Sequence, residues 1–93
     1  MMPKYQHQFD MMGENLKLVR KRRKLTEEMV AERAGIDIET LLLLEDGYAE
    51  VSIKKLFMVM NVYGMGGEIG TLCFNDILGR TLQDIELLKR KDI

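Results

Sequence analysis

A run of closely spaced cations is the feature of this sequence whose residue types most directly suggest chemistry. Six cations fall within eight residues: Lys17, Arg20, Lys21, Arg22, Arg23 and Lys24. Such a run can neutralise phosphate groups, which supply much of the affinity of proteins for nucleic acids. Residues 26–50 reverse the charge, with eight acids and one cation, Arg33. The net charge of the whole chain is only −1, which argues against unselective binding to polyanions.

The residues that could bind a metal or act as a nucleophile are few and far apart. His7 has no further ligand at a metal-binding spacing. Cys73 lies in an apolar setting that predicts a buried, unreactive thiol. The glycines at residues 64–70 follow no predicted strand, so a nucleotide-binding loop is not indicated. We therefore expect no enzyme activity, no cofactor and no metal site.

Composition and cysteine content predict one small cytoplasmic domain. A length of 93 residues, with 46% apolar and 31% charged residues, suits a single globular core. One cysteine cannot form an internal disulfide, which favours a reducing cytoplasm. No apolar run approaches the roughly 18 residues that a membrane-spanning helix needs, and no secretory signal pattern is visible.

The hydrophobic periodicity predicts an all-α chain, a small five-helix bundle with a C-terminal extension. We expect residues 1–9 to be a loose arm, residues 10–75 to form the domain, and residues 76–93 to form a tail. The predicted helices cover about Asp10 to Arg23, Thr26 to Gly35, Asp37 to Gly47, Ser52 to Tyr63 and Glu68 to Phe74, and a further segment, Asp76 to Glu86, follows them.

Two short helices around Gly35 carry the clearest local signals. Thr26, Asp37 and Ser52 are placed as N-caps, because their side chains can accept the free N–H groups of a first helical turn. Gly35 suits the left-handed conformation that ends a helix. The small side chains of Ala31 and Ala34 allow the next helix to approach closely. This layout is a helix-turn-helix.

The run L-T-E-E-M-V-A-E-R-A-G-I-D-I-E-T-L-L-L-L-E-D-G, residues 25–47, resembles the Cro/cI-type helix-turn-helix of lambda-repressor-like proteins. The resemblance extends over about residues 12–64 and implies a DNA-binding repressor. It also implies a structural ion pair between Arg20, on the first helix, and Glu45, at the end of the third.

The resemblance further implies which residues face double-stranded DNA. Base edges and nearby backbone would be met by Glu27, Glu28, Asp37, Ile38, Glu39, Thr40, Leu42 and Leu43, and phosphates by Lys21, Lys24, Lys54 and Lys55. Carboxylates can accept from cytosine N4, and aliphatic side chains can contact thymine methyl groups. Arginine and lysine, which read guanine, are absent from these base-facing positions.

The C-terminal run D-I-L-G-R-T-L-Q-D-I-E-L, residues 76–87, resembles the tail of HipB-like antitoxins, which are encoded beside HipA-type kinases. This resemblance implies a homodimer, an operator in DNA and a HipA-type kinase as a possible partner. The residues that would form the dimer or partner interface are Met65, Phe74, Ile77, Leu78, Leu82 and Ile85.

The third helix leaves a second function open. Helical geometry buries Leu41 and Leu44 but turns Leu42 and Leu43 toward solvent, where they would form an apolar patch with Ile38 and Met29. Such a patch is typical of a protein interface, so the alternative is an interaction module that keeps the fold. In that case the cations of residues 17–24 would simply face solvent and would bind no phosphate. A third hypothesis combines weak DNA reading with affinity gained through a dimer or a partner.

Overall fold

The computed structural model describes residues 5–72, which form five α-helices and no strand. The helices are α1, Gln6–Arg22; α2, Glu27–Ala34; α3, Ile38–Glu45; α4, Ile53–Val62; and α5, Gly67–Gly70. The all-helical class is therefore confirmed. Within these residues no helix is long and apolar enough to cross a membrane.

Local capping explains where the central helices begin and end. The Thr26 hydroxyl accepts from the Met29 N–H at 3.2 Å, and the Ser52 hydroxyl accepts from the Lys55 N–H at 3.3 Å. Gly35 ends α2 with φ +74°, a left-handed conformation that glycine adopts without steric cost. Asp37 occupies the N-cap position of α3, but its side chain makes no capping hydrogen bond, so its predicted capping role is wrong in that respect.

The core lies where the first four helices meet. Its buried apolar residues are Leu16, Val19, Val30, Ala31, Ala34, Leu41, Leu44, Val59 and Tyr63. The third helix packs against α1 and α2, and α4 packs against α2. This arrangement holds α3 by its inner side and leaves its outer side accessible.

The first helix begins one turn earlier than its periodicity predicts. The Gln6 amide donates to Asp10 Oδ1 at 2.9 Å and to the Gly47 carbonyl at 2.8 Å, which ties the helix start to the end of α3. Tyr5 and Phe9 add an edge-to-face contact with ring centroids 5.8 Å apart. The prediction that residues 6–9 belong to a loose arm is therefore wrong.

The fifth helix is shorter than predicted. It has four residues, Gly67–Gly70, and ends at Thr71, whereas the sequence pattern predicted a helix reaching Phe74. Glycine at both its first and last position disfavours a longer helix, because glycine loses the most backbone entropy on folding. The predicted segment from Asp76 to Glu86 lies outside the described residues.

Candidate nucleic-acid interface

The inner side of α3 is held against α1 by a very close backbone approach. A Cβ atom added to Gly13 would lie 2.6 Å from the carbonyl oxygens of both Leu44 and Glu45. Only a residue without a side chain allows the two helices to come so near. Gly13 was not among the predicted site residues, although a glycine inside a helix-periodic run is a signal for such a close approach.

A buried ion pair fixes the same seam. Arg20 Nε donates to Glu45 Oε2 at 2.8 Å, and Arg20 Nη2 donates to Glu45 Oε1 at 3.1 Å, so the pair is bidentate. Both residues are buried. The hydrogen bond to Glu45 raises the pKa of Arg20, and burial acts in the opposite direction. The structure thus brings together the two residues predicted to pair.

The same guanidinium also reaches the start of α2. Arg20 Nη1 donates to the Leu25 carbonyl at 3.2 Å, and Nη2 lies 3.4 Å from Glu27 Oε1. Glu27 is half-buried, and this contact turns it toward Arg20. A residue predicted to face DNA is therefore partly used to join α1 to α2. Glu28, in the same helical turn, is exposed.

The outer face of α3, which we define as Glu39, Leu42 and Leu43, is exposed. Leu42 is 37% accessible and Leu43 is 42% accessible. Asp37, at the helix start, is exposed, and Thr40 is half-buried. Ile38 is half-buried and packs against the core, so it adds less to the predicted apolar patch than Leu42 and Leu43 do. Met29, on α2, is exposed as predicted for that patch.

Comparison with known proteins agrees with this geometry. Residues 16–68 match the helix-turn-helix family, from within α1 to α5. The chain is 34% identical over 89 residues to YqaE of Bacillus subtilis strain 168, an HTH-type transcriptional regulator. The match covers 88% of this chain and 77% of that protein. No solved structure matches.

The chain belongs to the helix-turn-helix family. This is a family of DNA-binding transcriptional regulators of the Cro/cI type.

In this helix-turn-helix protein the predicted phosphate-binding lysines are exposed. Lys21 lies in the last turn of α1, and Lys24 lies in the turn before α2 with φ +55°. Lys54 and Lys55 lie in the first turn of α4. None of these four side chains makes an ion pair within residues 5–72. All four are therefore available to a phosphate.

The arginine at position 23, by contrast, serves the fold. Arg23 Nη2 donates to the Tyr63 carbonyl at 3.1 Å, and its guanidinium lies 5.5 Å from the centroid of the Tyr63 ring. It thereby ties the end of α1 to the end of α4. No spacing pattern predicts this contact, since the two residues are 40 positions apart.

The predicted dimer or partner residues are only partly described. Met65 is half-buried and packs against the core. Phe74, Ile77, Leu78, Leu82 and Ile85 lie outside the described residues, so the interface stays a prediction. Among residues 5–72 no group of three or more histidine, cysteine or acidic side chains is placed to hold a metal ion.

Proposed function

We propose that this chain is a cytoplasmic transcriptional repressor that inserts α3 into the major groove of operator DNA. The observation that carries the proposal is the exposed outer face of α3, held rigidly by Gly13 and the Arg20–Glu45 pair. The outer face of α3 carries no cation, so the phosphate contacts would come from the exposed lysines on either side of it. These are Lys21, Lys24, Lys54 and Lys55. A homodimer would place two such helices about one helical turn of DNA apart.

The chemistry of the outer face limits which bases it can read. Glu39 offers only acceptor atoms, which suit the N4 amino group of cytosine. Leu42 and Leu43 offer methyl groups, which suit the C5 methyl of thymine. We expect half-sites that contain thymine and cytosine in the contacted strand. Replacing one contacted thymine by uracil should weaken binding about fourfold, because one buried methyl group is lost.

Fluorescence anisotropy titration against the DNA upstream of the chain's own gene tests the proposal. The wild-type protein should prefer this DNA over a random duplex. The double variant Leu42→Gln, Leu43→Gln should lose the preference. Lys54→Gln with Lys55→Gln should weaken both duplexes and reduce the slope of log affinity against log salt by about 2. Equal binding of wild type to both duplexes would exclude sequence-specific recognition.

We further propose that the repressor is a HipB-like antitoxin that represses its own operon and restrains a HipA-type kinase. Support comes from the resemblance of residues 76–87 to the tails of such antitoxins. The test begins with the neighbouring genes. If a HipA-type kinase is encoded there, the tagged chain should retain it on a column after co-expression, and the Lys54→Gln, Lys55→Gln variant should retain it equally. No retention, or no such gene, contradicts this role.

The exposure of Leu42, Leu43 and Met29 favours one alternative, a protein-interaction module built on the same fold. Exposed apolar patches on soluble proteins usually mark surfaces that a partner covers. In that case the double variant Leu42→Gln, Leu43→Gln should form a smaller assembly than the wild type. Light scattering measures the molar mass of that assembly, both for the chain alone and for the chain mixed with its partner. An unchanged mass together with lost operator preference supports the repressor. Operator binding that is weak for the monomer and becomes tighter on dimerisation or on addition of the kinase supports the third hypothesis, in which avidity supplies the affinity.

A further inference from the structure

A second surface, unrelated to the outer face of α3, is an apolar groove between α1 and α4. We call it the methionine groove, because four of its lining residues are Met11, Met12, Met60 and Met65. Its volume is about 510 Å³, and its polar residues are Gln8, Asn15, Arg22 and Glu68. Methionine is a flexible side chain that adapts to the shape of an apolar occupant.

The groove opens directly onto the core. Its lining includes Leu16 and Val19 of the buried core, together with Leu56, Met60 and Met65, which pack against that core. Met11 is 47% accessible. The groove is therefore an apolar surface continuous with the core, and an exposed apolar surface of this kind is typical of a docking site.

The sequence supplies an occupant at the right place. The described chain ends at Leu72, only four residues after Glu68, which lines the groove. The sequence continues for 21 residues past Leu72, and Phe74, Ile77, Leu78, Leu82 and Ile85 recur in it at the spacing of one helical face. A helix over residues 74–85 would extend about 18 Å, close to the length of the part of α1 between Gln8 and Arg22 that lines the groove.

We propose that residues 74–85 of the same molecule occupy the methionine groove and complete the core with their apolar stripe. Tethering favours the chain's own segment over that of a second copy, because a short connection gives an effective concentration in the millimolar range. The occupant is thus part of the domain, and its docking does not depend on DNA binding.

Disulfide trapping in the full-length protein tests this proposal. In a Cys73→Ser background, Met12→Cys is combined with Leu78→Cys. The control combines Glu32→Cys, on the exposed side of α2, with the same Leu78→Cys. After mild oxidation, the groove pair should form a disulfide within one molecule and the control pair should not, as read by mass spectrometry and non-reducing electrophoresis.

Two outcomes of the trapping overturn the proposal. A disulfide-linked dimer for the groove pair assigns the groove to the segment of a second copy. Equal cross-linking of the groove and control pairs shows that the segment is not docked there.

Thiol reactivity provides a second measurement that needs no disulfide. In the same background, the single Met12→Cys thiol should be protected from a thiol reagent. Adding Leu78→Asp and Leu82→Asp should increase its reaction rate by about a hundredfold, since two buried leucines are lost from the groove. The control substitutions Gln83→Asp and Arg80→Asp, off the apolar stripe, should leave the rate unchanged. Circular dichroism verifies that each variant keeps its helices. A thiol equally reactive in all three proteins contradicts the proposal.

Discussion

The inner and outer sides of α3 are made from adjacent residues of one helix and behave in opposite ways. On the inner side, Glu45 is buried and holds Arg20 through two hydrogen bonds, beside the close contact of Gly13 with the Glu45 carbonyl. On the outer side, Glu39 is exposed, as are Leu42 and Leu43. The comparison shows that the same residue type, glutamate, stabilises the fold in one place and is available for recognition in the other.

This difference has a physical cause. A helix turns about 100° per residue, so neighbouring positions can face α1 or solvent without any change in backbone geometry. Substitutions on the inner side should therefore change stability, and substitutions on the outer side should change binding alone. Four variants follow in order of decreasing effect on stability. The variants of Glu45, of Gly13 and of the Leu42–Leu43 pair test this separation, and Tyr63→Phe probes a buried group at the end of α4.

Glu45→Ala should have the largest effect. It leaves Arg20 buried with only the Leu25 carbonyl and the more distant Glu27 as partners. Breaking a buried ion pair by removing one partner costs about 3 kcal/mol or more in free energy of unfolding. Urea denaturation followed by circular dichroism measures it. Glu39→Ala, on the outer side of the same helix, is the matched control and should change stability by less than about 0.5 kcal/mol. Equal effects of the two substitutions would remove the distinction between the two sides.

Gly13→Ala should have the next largest effect. The new Cβ would meet the backbone oxygens of Leu44 and Glu45, which cannot move as a flexible side chain does. The helices must separate, at a cost of about 1 to 3 kcal/mol in free energy of unfolding. Gly67→Ala is the control, because a Cβ there meets nothing within 4 Å. It should be neutral or slightly stabilising, by about 0.5 kcal/mol. A neutral Gly13→Ala would show that the seam is looser than the geometry indicates.

Tyr63→Phe should change the free energy of unfolding little at neutral pH, and its effect should become measurable above pH 10. The Tyr63 hydroxyl is buried and has no hydrogen-bond partner among the described residues, so its removal should change stability by less than about 0.5 kcal/mol. Burial raises the pKa of Tyr63 above its ordinary value of 10.0. The folded state therefore holds the phenol proton more tightly than the unfolded state does.

The sign of the pH dependence follows from that raised pKa. The contribution of the neutral phenol is fully present below pH 10 and is lost as the pH rises toward the pKa of the folded state. Thermal unfolding of wild type and Tyr63→Phe between pH 8 and about pH 11 measures it. The wild-type melting temperature should fall more steeply above pH 10 than that of the variant. Parallel curves would show that Tyr63 ionises as freely in the folded protein as in the unfolded one.

Leu42→Gln with Leu43→Gln should have the smallest effect on stability, less than about 0.5 kcal/mol, because both side chains are already exposed. The same double variant is expected to lose operator preference, so one protein gives both measurements. A loss of stability comparable to that of Glu45→Ala would place these leucines in the packed interior and contradict the separation of the two sides.

Local signals in the sequence were sufficient for most of the fold. Thr26, Gly35 and Ser52 act through atoms within a few residues of themselves, so their positions along the chain already predict where α2 and α4 begin and where α2 ends. The pairing of Arg20 with Glu45 came from the family resemblance and has the expected geometry. The exposure of Leu42 and Leu43 followed from helical periodicity alone.

Other features depend on contacts between residues far apart in the chain, and these only the tertiary structure decided. The early start of α1 rests on the contact between Gln6 and the Gly47 carbonyl, 41 residues away. The half-burial of Ile38 and the role of Gly13 depend on how closely the neighbouring helices approach. Periodicity states which residues share one face of a helix, but the angle and distance between helices determine what that face touches. The sequence by itself therefore determined the all-helical class and the capped ends of α2 and α4, and the packing decided which charged and apolar residues of α3 remain free to bind a partner.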